Sequence, residues 1–195
     1  MYVRDAKNRD EAWLLDEIES MGLDDAAFRS RDYVIAVDED SGDRAGFGRL
    51  RIHKADGEEH IELTGIGVVP EWRGRGVGAH VVERLVDTAD ADGFDIVYVL
   101  TDAPEYLTQF GFERVEADAL PAVIDDRLTE KRETVGPDVV ALRIEPGQFE
   151  MADRFREAFK NASSVDDEAA NEPTETAEDF GIDPESATYK YDTGR

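Results

Sequence analysis

No cysteine occurs among the 195 residues. A disulfide framework, a thiolate metal site and a thiol nucleophile are therefore excluded. Lysine is scarce too: of 22 basic residues only five are lysines, Lys7, Lys54, Lys131, Lys160 and Lys190. Positive charge as a whole is outnumbered, 22 bases against 47 acids, for a formal net charge of −25. Such a chain lacks the basic footprint that nucleic-acid phosphates require, and an anionic membrane surface repels it. No apolar run approaches the roughly 20 residues of a membrane span, and no basic-then-apolar leader opens the sequence. These absences point to a soluble, cytoplasmic protein, monomeric or homodimeric, with neither nucleic acid nor membrane as a partner. The length fits one domain with an appendage and allows a sizeable core.

The acids are spread along the chain. Residues 1–149 hold 34 acids and 17 bases, and residues 150–195 hold 13 and 5. Abundant carboxylates, few lysines and no cysteine together read as adaptation to a salty, halophilic cytoplasm. Concentrated salt screens self-repulsion that is costly in dilute buffer.

Residues 163–195 are Asp, Glu, Ala, Thr, Ser and Pro with scattered aromatics, too polar to offset their ordering entropy. They read as a disordered acidic tail, and Asp166-Asp167-Glu168 within it as a solvated charge run. Before the tail, Phe149, Met151, Phe155, Ala158 and Phe159 recur at helical spacing, so residues 146–162 read as an amphipathic helix, Gln148–Asn161, docked on the body. The body, residues 1–145, reads as mixed α/β. Strands are expected at Tyr2–Arg4, Tyr33–Val37, Phe47–Lys54, Ile61–Val69, Ile96–Leu100, Phe112–Val115 and Val139–Ile144. Helices are expected from Asn8 or Asp10 to Met21, from Gly76 to Asp92, and over Pro104–Phe110. Asp56-Gly57 marks a hairpin. A meander followed by a helical crossover implies a mixed sheet.

The chemistry-bearing segment is Val68-Val69-Pro70-Glu71-Trp72-Arg73-Gly74-Arg75-Gly76-Val77-Gly78-Ala79, between an apolar strand and a helix. Its alternate glycines permit a tight turn and close backbone approach. Free N–H groups there converge on one spot, and the helix dipole favours an anion. Arg73 and Arg75 add positive charge. The physics describes a phosphate or pyrophosphate cradle. A ligand-free glycine loop is one alternative. A dinucleotide fingerprint is another, since Gly74–Ala79 fits G-x-G-x-x-[GA], although Pro70–Arg73 separates it from the strand.

The segment also resembles the acetyl-CoA loop of the GNAT N-acetyltransferases. Arg73–Gly78 fits [QR]-x-x-G-x-[GA], and Val68–Gly74 fits the lead-in V-x-P-[ED]-[YW]-R-G. Ile96–Leu100, Pro104–Phe110 and Gly111-Phe112-Glu113 look like the family's closing unit, and the motif detail is nearest to the amino-acid (N-acetylglutamate synthase-like) branch. The resemblance implies a V-shaped split between Ile61–Val69 and Ile96–Leu100. The pantetheine arm of acetyl-CoA would lie along Ile66, Gly67, Val68 and Val69, with the pyrophosphate on Arg73, Gly74, Arg75, Gly76, Val77, Gly78 and Ala79. No metal is implied. A Cβ at Gly76 would intrude where the phosphate sits and leave the fold intact. Glu62 would be the general base, its pKa raised by Ile61, Leu63 and Ile66. The family's usual acidic Tyr position holds Leu107, with Tyr106 adjacent; either Tyr106 is the acid or the thiolate leaves unassisted.

The acceptor is an amine, read as a small molecule such as an amino acid; a protein N-terminus or lysine, or a non-catalytic CoA sensor, are the competing readings. Acceptor specificity would come from Leu14–Ser30 and the segment after Val115. Arg29, Arg31, Arg49 and Arg51 are candidates for a substrate carboxylate, or else surface ions. His53, His60 and His80 are too scattered for a metal and read as ordinary surface or helix residues, and Trp72 as packing beside the loop. The charge balance predicts that the melting temperature rises from low to molar potassium chloride as screening relieves self-repulsion. A flat or falling curve would remove the high-salt reading.

Overall fold

A computed structural model describes residues 1–24 and 26–162. The acidic segment 163–195, with its Asp166–Glu168 run, lies outside them. In chain order the elements are β1 (Tyr2–Asp5), α1 (Glu11–Ser20), β2 (Tyr33–Val37), β3 (Arg44–Ala55), β4 (Glu58–Val68), α2 (Val77–Ala91), β5 (Val97–Thr101), α3 (Pro104–Thr108), β6 (Glu113–Val115), α4 (Ala122–Thr134), β7 (Val140–Ile144) and α5 (Asp153–Asn161). The seven strands form one mixed, mostly antiparallel sheet in the order β1-β2-β3-β4-β5-β7-β6.

The apolar face of α2, with Val81, Val82, Leu85 and Val86, packs against Ile61, Leu63, Val97 and Val99. Phe155 and Phe159 of α5 and the preceding Phe149 join the same cluster. On the other side α1 covers Tyr33, Ile35 and Phe47 with Leu14 and Ile18, and α4 covers Tyr98 and Leu100 with Ile124 and Leu128. Helices thus flank both faces of the sheet.

Two departures from the sequence reading matter for function. First, α5 begins five residues later than the expected Gln148, after a single turn at Pro146–Gln148. Second, α4 is an element that hydrophobic periodicity does not announce. Its buried residues are Ile124, Arg127, Leu128 and Lys131, so two of the four inward positions are cationic and the apolar stripe is interrupted.

β4 carries the geometry of the cleft. It pairs in parallel with β5 only at Ile61↔Val97 and Glu62↔Tyr98. On its other side Arg49 opposes Thr64 while Phe47 opposes Gly67, so β4 holds one residue more than β3 across this step. Gly65 sits there at φ +59, a left-handed conformation suited to glycine at a bulge. Such a bulge bends a strand, and β4 parts from β5 just before it. The expected V-shaped split lies between these two strands.

At the first edge, the fully buried Asp10 ties β1 and β3 to the turn before α1. Its carboxylate accepts from Arg4 Nη1 at 2.8 Å, Arg44 Nε at 2.9 Å and the Lys7 amide at 2.8 Å. Burial raises its pKa, but Arg4, the Lys7 amide and Arg44 outweigh this and hold the carboxyl well below the usual range. Asp10→Ala leaves two guanidinium groups and an amide unanswered and is expected to cost about 2–4 kcal/mol by denaturant titration. A group with a depressed folded pKa contributes stability above its unfolded value, roughly pH 4, and loses it as pH falls further. The acid-unfolding limb should therefore be shallower in Asp10→Ala than in the wild type.

Candidate active site

The cleft has two lobes. One, of about 600 Å³, is lined by Ile66, Gly67 and Val68 of β4, by Arg73, Gly74, Gly76, Val77 and Gly78 of the loop and α2, and by Tyr106 and Phe155. The other, of about 560 Å³, is lined by Thr64, Gly65 and Ile66 of β4, Leu100–Ala103, Asp24, Tyr106 and Lys131. Met21, Leu23, Ile66, Val68, Gly78 and Tyr106 border both. Beyond Glu62 the β4 backbone has no ladder partner on the β5 side among the described residues, so its polar groups face the cleft.

The loop closes the end of the first lobe. Gly76 caps α2 at φ +75, and the first-turn amides of a helix have no intrahelical acceptor. Arg73 donates Nε to the Val68 carbonyl at 3.2 Å, which ties the loop to the end of β4. Three of the expected cofactor-binding residues, Val69, Arg75 and Ala79, are not among those lining this lobe. Val69 packs on the core, Arg75 lies over the Trp72 ring at 5.4 Å, and Ala79 is fully buried in the core.

Gly76 also needs correction. A Cβ there would meet the Phe155 carbonyl oxygen at 2.3 Å, not a phosphate. The Gly76 Cα faces the backbone of α5, so a substitution strikes the fold itself. His80 strengthens this contact, stacked on Phe159 at 3.9 Å between centroids and hydrogen-bonded through Nδ1 to the Gly76 carbonyl at 2.9 Å.

Tyr106 stands where the lobes meet, and its hydroxyl lies 2.7 Å from where a Gly78 Cβ would be. Leu107 points inward and is 3% exposed. Of the two, Tyr106 therefore presents its polar end to the cleft. Burial pushes its phenol up to about 12, which keeps it protonated across the neutral range.

Glu62 is 0% exposed, and its surroundings differ from the apolar setting that the strand pattern implied. His53 Nε2 lies 2.8 Å from its Oε2, and the Lys131 ammonium 3.1 Å from its Oε1. Arg127 Nε stands 3.7 Å away. Burial alone would raise the carboxyl; the His53 hydrogen bond and the Lys131 charge overcome it, and the pKa is lowered. The expected rise is thus reversed, because α4 delivers cations that the strand pattern does not reveal. The Lys131 pKa is lowered as well. Burial pushes its ammonium down, Glu62 opposes this, and the Arg127 and Arg49 charges add to the fall.

The remaining sequence candidates separate. Arg49 is 1% exposed and donates to the Ala26 carbonyl at 2.9 Å, holding the segment before β2 over the sheet. Arg29 and Arg31 border a different cavity, beside Asn8 and Glu11. His53 is buried on Glu62 and is no surface residue, whereas His60 lies near Tyr98. Trp72 is core. Sequence reasoning overlooked Lys131, Arg127, Thr64 and Asp24. The available signal was the i, i+3, i+4, i+7 spacing of Ile124, Arg127, Leu128 and Lys131.

The fold sets a glycine-rich helix start beside the unpaired edge of β4. The profile of the acetyltransferase (GNAT) family matches residues 3–112, more than half of the chain, and the chain belongs to that family. Its fold recurs in solved structures. N-acetylglutamate synthase from Neisseria gonorrhoeae, complexed with coenzyme A and N-acetyl-glutamate, is 19% identical at a TM-score of 0.59, covering 74% of this chain and 34% of that one. A Mycobacterium tuberculosis protein in complex with CoA is 20% identical at 0.59, covering 74% and 99%. Arabidopsis thaliana Naa50, bound to a bisubstrate analogue, is 15% identical at 0.51, covering 74% and 97%. This chain spans about a third of the length of the Neisseria synthase it matches. Among the described residues there is no cluster of three or more metal-ligating side chains, and no helix is long and apolar enough to cross a membrane.

Gly76→Ala and Gly78→Ala separate the two roles of the loop. Gly76→Ala combines positive φ with a backbone collision and is expected to destabilise by about 2–4 kcal/mol in thermal denaturation. Gly78→Ala meets side chains alone, the far end of Tyr106 and a Val68 methyl, and should melt within about 1 kcal/mol of the wild type. Equal losses would contradict the packing of α5 on Gly76.

Proposed function

We propose that the protein moves an acetyl group from acetyl-CoA to the primary amine of a small molecule, of which an amino acid is the best-supported class. The observation that carries this reading is the two-lobed cleft, in which a glycine-rich helix start, an unpaired strand edge and a protonated tyrosine converge. Ile66–Val68 would hold the pantetheine arm, and Arg73, Gly74 and Gly76–Gly78 the pyrophosphate. When bound, acetyl-CoA supplies an activated thioester. The chain would orient it with β4 amides near Gly67 and Val68, which polarise the carbonyl. Tyr106 Oη would donate its proton to the departing sulfur. Glu62 would receive the amine proton.

Support for an amino-acid acceptor comes from the size of the second lobe and the cations behind it. The N-acetyl-glutamate named for the Neisseria structure is of the same class. The acid-rich, lysine-poor surface supports work in a salty cytoplasm.

Calorimetric titration with acetyl-CoA, followed by thiol release with a panel of primary amines, tests the assignment. Tyr106→Phe should keep acetyl-CoA affinity within about threefold and lower kcat by roughly 10²–10⁴-fold. A Tyr106→Phe enzyme at the wild-type rate would remove Tyr106 as the acid. Binding without thiol release from any amine would favour a CoA sensor.

A further inference from the structure

Under the acetyltransferase reading Glu62 receives the amine proton, yet it has no surface in the cleft. Its carboxylate ends on His53, Arg127 and Lys131. Arg127 is also engaged by Asp24 and by Glu130. His53 does not border the second lobe. Of the three, only Lys131 does.

We propose that Lys131 faces the acceptor amine and passes its proton on to Glu62, so that the two residues act as one base. The proposal rests on the acetyltransferase reading and names the group that touches the acceptor.

The chemistry follows from burial. Lys131 is 9% exposed and Glu62 0%. An ion pair this dry is one proton transfer from being neutral; burial favours the neutral forms, while His53 and the Lys131 charge favour the Glu62 carboxylate. Nζ and Oε1 lie 3.1 Å apart as an ion pair not aligned as a hydrogen bond; once Nζ turns into line, transfer breaks one N–H bond of Lys131 and forms one O–H bond on Glu62. The lone pair uncovered on Nζ then takes a proton from the acceptor ammonium. That N–H bond breaks, its electron pair stays on the acceptor nitrogen as the nucleophile, and a new N–H bond restores the Lys131 charge. In sum the acceptor loses one proton and Glu62 gains it.

Thr64 Oγ1 and the Leu100 carbonyl accept from Nζ at 3.2 and 3.1 Å in the resting arrangement, and a turn about the Cε–Nζ bond carries the uncovered lone pair from Glu62 to the acceptor. The surrounding charges are Arg49, Arg51 and His53 from β3, Arg127 and Glu130 from α4, and Asp24 from the segment after α1. Burial and the nearby Arg127 and Arg49 lower the Lys131 pKa, while Glu62 opposes them. That balance keeps the proton transferable.

The five lysines make the test direct. In the full chain labelled with ¹³Cε-lysine, the Lys131 signal should titrate below the other four. Glu62→Gln, which removes the facing negative charge, should move it lower still. A Lys131 signal that titrates with the others, or ignores Glu62→Gln, overturns the proposal. Kinetics give a second arm. Lys131→Arg keeps charge and donors, but a guanidinium does not release its proton. It should lower kcat/KM by roughly 10²–10⁴-fold for ethylamine, an ammonium at mildly alkaline pH. The loss should be much smaller for hydroxylamine, which is uncharged there. Equal losses, or full activity with ethylamine, show a structural lysine and overturn the proposal. Lys131→Met serves the same comparison where the larger side chain does not fit. Calorimetry with acetyl-CoA keeps the two levels apart. A wild type that does not bind it fails the acetyltransferase reading itself, whereas normal binding beside either contrary result fails only the Lys131 assignment.

Discussion

The cleft depends on one extra residue in β4. Between Thr64 and Gly67 the strand takes three steps where β3 takes two, and Gly65 absorbs the surplus at φ +59. A bulge bends the strand that carries it. β4 therefore leaves β5 after two residue pairs and keeps its antiparallel partner on the other side. The edge so exposed runs toward the start of α2. Close packing fixes α2 against the same stretch of sheet: Cβ atoms added at Gly46 or Gly48 would come within 2.9 Å of Val77, Val81 or Leu85. Strand edge and helix N-terminus thus meet at one point, which is what a phosphate-bearing thioester requires.

Behind the cleft lies a buried ionic cluster in a protein whose surface is overwhelmingly acidic. Arg49, Arg127, Lys131 and His53 sit with Glu62 in the layer between the sheet and α4, and Asp24 pairs with Arg127 at its edge. Burying charge costs free energy unless each group finds a partner, and removing one partner from such a pair typically costs about 3–5 kcal/mol. The cluster therefore constrains α4 against β3 and β4 as firmly as apolar packing does. It also places Lys131 at the lining of the second lobe. Under the proposed function the same atoms would serve stability and proton handling, so mutational effects here need readouts that separate them.

How much of this was legible in the sequence varies with the physics of each element. Strands with unbroken apolar runs, such as the one containing Ile61 and Leu63, and the α2 face with Val81, Val82 and Leu85, were readable because their burial is hydrophobic. So was the loop, since Gly74, Gly76 and Gly78 report backbone requirements directly. The hidden part is where polar side chains face inward. α4 buries Arg127 and Lys131 in place of two apolar residues, so its pattern carries no stripe. Missing α4 inverted the inference about Glu62, whose apolar sequence neighbours point to the other face of the sheet. Gly65 was the legible trace of the bulge, an isolated glycine within a strand pattern. The exchange of Leu107 and Tyr106 is a matter of rotation about a short helix, which spacing alone does not determine.

Amide hydrogen exchange with and without acetyl-CoA tests the central claim, that the bent β4 edge and the start of α2 form one binding surface. The account predicts protection on adding acetyl-CoA at Ile66–Val68 and over the Gly74–Gly78 loop, with β1 and β2 unchanged. Protection confined to other strands, or none at saturating acetyl-CoA, would contradict it.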